Sequence, residues 1–166
     1  REGSAPDGAE VAARVRTFFD PYHARLRAEI DRVRARHGLV VLLDGHSIRS
    51  RVPRFFEGRL PDLNLGTAMG ASCDPALQAI AAAVLAGSEG FTHVVNGRFT
   101  GGYVTRHYGA PAGGVHALQL EMAQACYMDE APPYRYDAAR AAACERVLRT
   151  LVEALLDWRP EAEAGR

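Results

Sequence analysis

The sequence predicts an α/β protein, a three-layer αβα sandwich with a central, mostly parallel (mixed) sheet, on three observations. Strand-length apolar runs alternate with stretches of helical spacing. The first such run is continuous rather than alternating, as in a strand covered on both faces. The segments richest in glycine, arginine and histidine follow directly on the ends of those runs.

Along the chain, residues 1–8 (REGSAPDG) and 160–166 (PEAEAGR) are polar runs expected to fray, leaving a single α/β domain over residues 9–159. Tyr22, Leu26, Ile30 and Val33 form a helical stripe, with arginines on the remaining positions as a solvated face and Gly38 as the stop. LVVLLD, residues 39–44, is expected as an interior parallel strand. Asp74 and Pro75 supply an N-cap and a first-turn proline for a helix built on Leu77, Ile80, Ala81, Val84 and Leu85, which ends before Gly87. HVVN, residues 93–96, and VHALQLEM, residues 115–122, are strands. The closing helix starts near Asp137, buries Cys144, Val147, Leu148, Leu151, Leu155 and Trp158, and stops before Pro160.

Composition excludes several function classes. Twenty basic and 20 acidic residues cancel, which argues against a protein held to nucleic acid by bulk charge. Every basic residue is arginine, so lysine chemistry (a Schiff base or a P-loop) is absent. Cys73, Cys126 and Cys144 are odd in number and widely spaced, which fits neither a disulfide framework nor a paired zinc motif and suits a reducing cytoplasm. No run approaches the ~20 apolar residues of a membrane span, and no signal peptide opens the sequence, so a soluble protein is expected.

Chemistry is expected at the strand ends. Asp44 and His46 are two apart and share a face of an extended chain. His46 is a candidate metal ligand or general base, or a hydrogen-bonded structural histidine. NGRFTGGYVTRHYG, residues 96–109, has no helical or strand period and combines four glycines with Arg98, Arg106 and His107. Its arginines suit bidentate grips on carboxylates, or loop-fixing ion pairs. Glu121, in an otherwise apolar strand, suits a general base with a raised pKa, or a structural ion pair. Neither Ser47 nor Ser72 lies in the GxSxG frame of a serine hydrolase.

Three motifs taken together, DGHSIRSRVPRFFEGRLPDLNLGT, NGRFTGGYVTRHYG and HALQLEMAQACYMDE, closely resemble the N-formylglutamate amidohydrolase (deformylase) family, a zinc-carboxypeptidase-like group, over about Pro21 to Trp158. The resemblance implies hydrolysis of the formamide of N-formyl-L-glutamate to formate and L-glutamate, a late step of histidine degradation. It maps His46 onto a metal ligand and Glu121 onto the general base, and implies a Zn²⁺ ion or another divalent metal. Arg49, Arg98 and Arg106 become the anchors for a dianionic substrate, Asn96 a polar contact, and Asp44 the partner that orients His46. Relatives take two further ligands from an N-terminal region with a His-Ser-Gly type motif, which residues 1–38 do not match. The chain therefore resembles the C-terminal part of the domain, N-terminally incomplete, and His107, His116, Cys73 or a second chain would have to complete the metal site. An uncovered sheet edge would favour self-association. The alternative is an inactive fragment, or a non-catalytic module that binds acidic acyl-amino acids or a partner subunit.

Overall fold

The computed structural model describes residues 5–160, and the chain separates into two compact units that meet in sequence at Val40 and Val41. The polar ends 1–4 and 161–166 lie outside the described residues. No described helix is long and apolar enough to cross a membrane.

The first unit is helical. Helix α1 (Gly8–Arg14) opens where the Asp7 carboxylate accepts the Glu10 N–H at 2.7 Å, a π-helical turn spans Val15–Phe19, and α2 (Asp20–His37) follows. Gly38, at φ 72°, closes α2 in the left-handed conformation glycine adopts without strain. Ile30 is buried, whereas Tyr22, the first residue of the predicted stripe, is exposed. The arginine face is solvated and tied by local pairs such as Arg25 with Glu29 at 2.5 Å.

The second unit holds, but for Val40 at the start of β1, a four-stranded sheet in the order β1-β4-β2-β3, from β1 (Val40–Ile48), β2 (Leu63–Gly66), β3 (His93–Val95) and β4 (Val115–Ala123). The sheet is mixed: β2 runs parallel to β3 and antiparallel to β4. Strand β4 is central and almost wholly buried. The interior position expected for the run at 39–44 is corrected. Strand β1 stands at an edge and is mostly half-exposed, and among the described residues no strand pairs with its outer side. Continuous apolar sequence reports a tendency to be covered, and cannot say which strand stands in the middle.

The helices follow their caps. Asp74 accepts the Ala76 N–H at 2.7 Å, and α3 (Pro75–Ala86) buries Leu77, Ala81 and Leu85. Asp137 accepts the Arg140 N–H at 2.9 Å to open α5 (Ala138–Asp157), which packs on α3 and buries Cys144, Val147, Leu151 and Leu155. Leu148 is half-buried against Ala123, Cys126 and Cys144. Trp158, just past α5, is buried edge-on to His116, with ring centroids 4.8 Å apart.

Strand β2 and helix α4 appear where no element was expected. Strand β2 has four residues, too few for alternation to show, and its Asn64 is fully buried because the side-chain amide donates to the backbone carbonyls of Pro61 and Glu121 at 2.8 and 3.0 Å. Helix α4 (Tyr103–Tyr108) lies inside the glycine-rich segment and packs on β4. Six residues are too short for a helical period to be read, yet Thr105 and Tyr108 are buried.

Candidate active site

The site begins with strand alternation. Asp44 and His46 share one face of β1, Gln119 and Glu121 share one face of the adjacent β4, and the register sets Asn64 opposite Glu121 and Gly66 opposite Gln119. Gly66 is the small position that allows the next layer to descend. A Cβ there would stand 2.6 Å from the Gly101 nitrogen and 2.7 Å from the Thr100 carbonyl carbon, so the 100–101 backbone lies directly on β2. Gly101 then turns at φ +115°, a conformation open to glycine alone, and the Gly102 N–H donates to Gln119 Oε1 at 2.6 Å. The result is a hollow of about 390 Å³ lined by Asp44, His46, Gly102, Tyr103, Val104, Gln119 and Glu121.

Within it, the Asp44 carboxylate holds His46 Nε2 at 2.9 Å, and the imidazole is about half-exposed. Glu121 is 7% exposed. Burial pushes its carboxyl above the ordinary carboxylate range, His46 pulls it part of the way back, and Asp44 adds to the rise. A carboxyl so displaced is a better proton acceptor than an exposed one, as general-base work near neutral pH requires. Asp44, His46 and Glu121 thus meet through strand alternation: β1 runs on to Ile48, so Asp44 and His46 lie within the strand and not beyond its end as expected.

The expected substrate-binding residues stand elsewhere, and Arg49, Asn96 and Arg106 have other partners. Arg49 donates to the Glu130 carbonyl at 2.6 Å, while the Glu130 carboxylate accepts the Ser50 N–H and hydroxyl at 2.5 and 2.6 Å. Asn96, at φ 50°, clamps the ends of β2 and β3: its Oδ1 accepts the Thr67 N–H at 2.9 Å and its amide donates to the Thr67 hydroxyl at 2.8 Å. Arg106 is exposed on α4, three residues beyond Tyr103, and donates to the Gly101 carbonyl. Arg98 is exposed in the loop before α4. None of the four lines the hollow.

The residues offered as substitute metal ligands are also occupied. His116 Nδ1 accepts the Asp74 N–H at 3.1 Å, and burial lowers its pKa against a small opposing pull from Asp74. His107 stacks on Tyr103 at 4.7 Å. Cys73 is buried, and desolvation pushes its thiol up to about 11. Among the described residues no group of three or more His, Cys, Asp and Glu is placed to hold a metal ion, whereas catalytic zinc takes three protein ligands. The donors of this hollow do not by themselves fit a complete zinc site.

Gln119, like Gly102, Tyr103 and Val104, lines the hollow without having been singled out as a site residue. Its signal was available, since it precedes Glu121 by two positions on the same strand and so faces the same way.

Comparison with known proteins places this geometry in a family. The model for N-formylglutamate amidohydrolase matches residues 2–128. The N-formylglutamate deformylase of Pseudomonas aeruginosa is 52% identical over 164 residues, 99% of this chain and 62% of that protein. The deformylase of Pseudomonas putida is 49% identical over 161 residues, 97% of this chain and 60% of the relative. The chain therefore spans about 60% of the length of these relatives. The crystal structure of N-formylglutamate amidohydrolase from Ralstonia eutropha JMP134 superposes with a TM-score of 0.71 at 28% identity, over 88% of this chain and 55% of that one. A gene product of Agrobacterium tumefaciens shares the fold at a TM-score of 0.65 and 21% identity, over 91% of this chain and 56% of its own. The chain belongs to the N-formylglutamate amidohydrolase family.

Proposed function

We propose that this chain hydrolyses the formamide of N-formyl-L-glutamate to formate and L-glutamate, serving histidine degradation, with Glu121 as the general base. The observation that carries the reading is the convergence of a buried Glu121, its pKa raised by desolvation, with the Asp44–His46 pair on one hollow beneath the 100–102 loop. Membership of the family and the names of the two Pseudomonas relatives support the substrate.

Glu121 takes a proton from a water molecule as the water oxygen bonds to the formyl carbon. The C–N bond breaks when the tetrahedral adduct collapses, and the same proton passes from Glu121 to the departing amine. Asp44 fixes the His46 ring by holding Nε2, which leaves Nδ1 as the nitrogen not used in that pair. The Gly102 turn and Tyr103 line one side of the hollow. Arg98 and Arg106 are the proposed anchors for the substrate carboxylates, Arg106 because it follows the lining residue Tyr103 by one helical turn. Arg49 and Asn96 are proposed as outer contacts.

The family reading adds a Zn²⁺ ion bound through His46, which would polarise the formyl oxygen and acidify a water molecule. The described residues do not complete its ligand set. That shortfall gives weight to a second reading, a non-catalytic module binding acidic acyl-amino acids. Elemental analysis of the purified chain, together with formate release from N-formyl-L-glutamate, separates the two. Turnover abolished by Glu121→Gln establishes the hydrolase. A chain that binds L-glutamate but releases no formate, with or without added Zn²⁺, establishes the module.

A further inference from the structure

The structure assigns to Gln119 the role of a substrate-contacting hydrogen-bond donor beside the general base, an inference that rests on the reading of the hollow as the hydrolytic site. Gln119 is 5% exposed, and the little of it that is open lines the hollow. Its amide has a defined orientation. The group it meets on the loop is the Gly102 N–H, at 2.6 Å, and an N–H demands an acceptor, so Oε1 must face the loop and Nε2 must face away from it. Among the described residues Nε2 donates to no partner.

Two N–H donors without a protein acceptor, on a nearly buried side chain that lines a hollow, mark a place for an acceptor from outside the chain. Strand alternation puts them on the same face of β4 as Glu121, two positions away. Gly66, opposite Gln119 across the ladder, contributes no side chain that could fill the space or compete for the donors. The chemistry that fits is an oxygen acceptor of the substrate, either the formyl oxygen, on which negative charge develops, or a carboxylate. Gln119 thereby ties two functions together: Oε1 holds the 102 turn over the hollow, and Nε2 meets the substrate.

The test reads the Gln119 side-chain amide directly. In a ¹⁵N-labelled 166-residue chain its NH₂ pair is assigned by its loss in Gln119→Glu, then followed during separate titrations with sodium formate and with L-glutamate. A saturable shift with formate identifies the formyl side as the acceptor, and a shift with L-glutamate identifies a carboxylate. No shift with either overturns the inference. If the backbone amides of Tyr103 and Val104 still respond, only the role of Gln119 falls, whereas silence there as well removes the reading of the hollow itself.

Kinetics supply a second arm. Gln119→Glu keeps an oxygen for the Gly102 N–H but sets a second carboxyl beside the buried Glu121, so some loss of thermal stability is expected together with a fall in kcat/KM of about tenfold or more. Gln119→Met removes both functions and is expected to lower stability as well. Wild-type kcat/KM in both variants overturns the inference even if hydrolysis by the parent chain is confirmed.

Discussion

Replacing Gly66 by alanine tests how the site is assembled. The added methyl would stand 2.6 Å from the Gly101 nitrogen and 2.7 Å from the Thr100 carbonyl carbon. Both are backbone atoms, so relief cannot come from a side-chain rotation and the 100–102 segment has to lift off β2. Overpacking of this kind costs about 1–3 kcal/mol, and loss of the Gly102–Gln119 hydrogen bond adds roughly 1 kcal/mol. The sum, about 2–4 kcal/mol, is a large part of the ~5–15 kcal/mol that holds an ordinary domain together. For a chain of this size it corresponds to a fall in Tm of about 4–16 °C. Because the lifted segment carries the roof of the hollow, turnover should drop about 100-fold, as for a misplacement on the order of 1 Å. Urea denaturation and formate release measure the two effects. Gly45→Ala is the control, since a Cβ at Gly45 meets nothing within 4 Å, and its stability should stay within about 0.5 kcal/mol of wild type. A Gly66→Ala chain with both stability and turnover unchanged would refute the close packing of the glycine turn on β2.

Other expectations are more local. Asp62 accepts Arg59 Nη2 at 2.6 Å and the Thr92 N–H and hydroxyl at 2.9 and 2.7 Å, so Asp62→Ala should cost about 2–3 kcal/mol in urea denaturation, the half-exposed Arg59 contributing little. Burial pushes the Asp62 carboxyl up, but the Arg59 and Thr92 donors together hold it below its ordinary value. Its stabilisation is therefore complete above about pH 4 and lost as the pH falls through the depressed value, a loss absent from Asp62→Ala. His116, its pKa lowered chiefly by burial, folds as the neutral imidazole that accepts the Asp74 N–H. The unfolded chain takes up its proton first, so stability is full above about pH 6.5 and declines below it, and His116→Gln should flatten that decline in pH-dependent thermal melts. Arg106→Ala should raise KM roughly 30-fold, about 2 kcal/mol, with kcat nearly unchanged. An unchanged KM would leave Arg106 with only its hydrogen bond to the Gly101 carbonyl.

What could be read from the chain, and what could not, divides along physical lines. Caps are local chemistry: Asp74 with Pro75 marked the start of α3 to the residue, and α5 opens at Asp137, near which its start was expected. Alternation is also local, and it put Asp44 with His46 on one face and made Glu121 an exceptional carboxylate in a buried strand. Strand order is not local: the apolar run at 39–44 carried no sign that β4 would be central and β1 at an edge. Short elements were also hidden, because four residues in β2 and six in α4 complete too few periods. The arginines were the hardest to place. Arg49 and Arg106 are held by the carbonyls of Glu130 and Gly101, and every residue offers a carbonyl, so no pattern of side chains could have announced those partners.

The most direct measurement is the single-turnover rate of formate release from N-formyl-L-glutamate by Glu121→Gln beside the parent chain, with substrate affinity determined for both. The amide keeps the size of the carboxyl and cannot accept the water proton, so the rate should fall by about 10²–10⁴ while affinity changes little. A variant that releases formate at close to the parent rate would show that the buried carboxyl in the hollow takes no part in the chemistry.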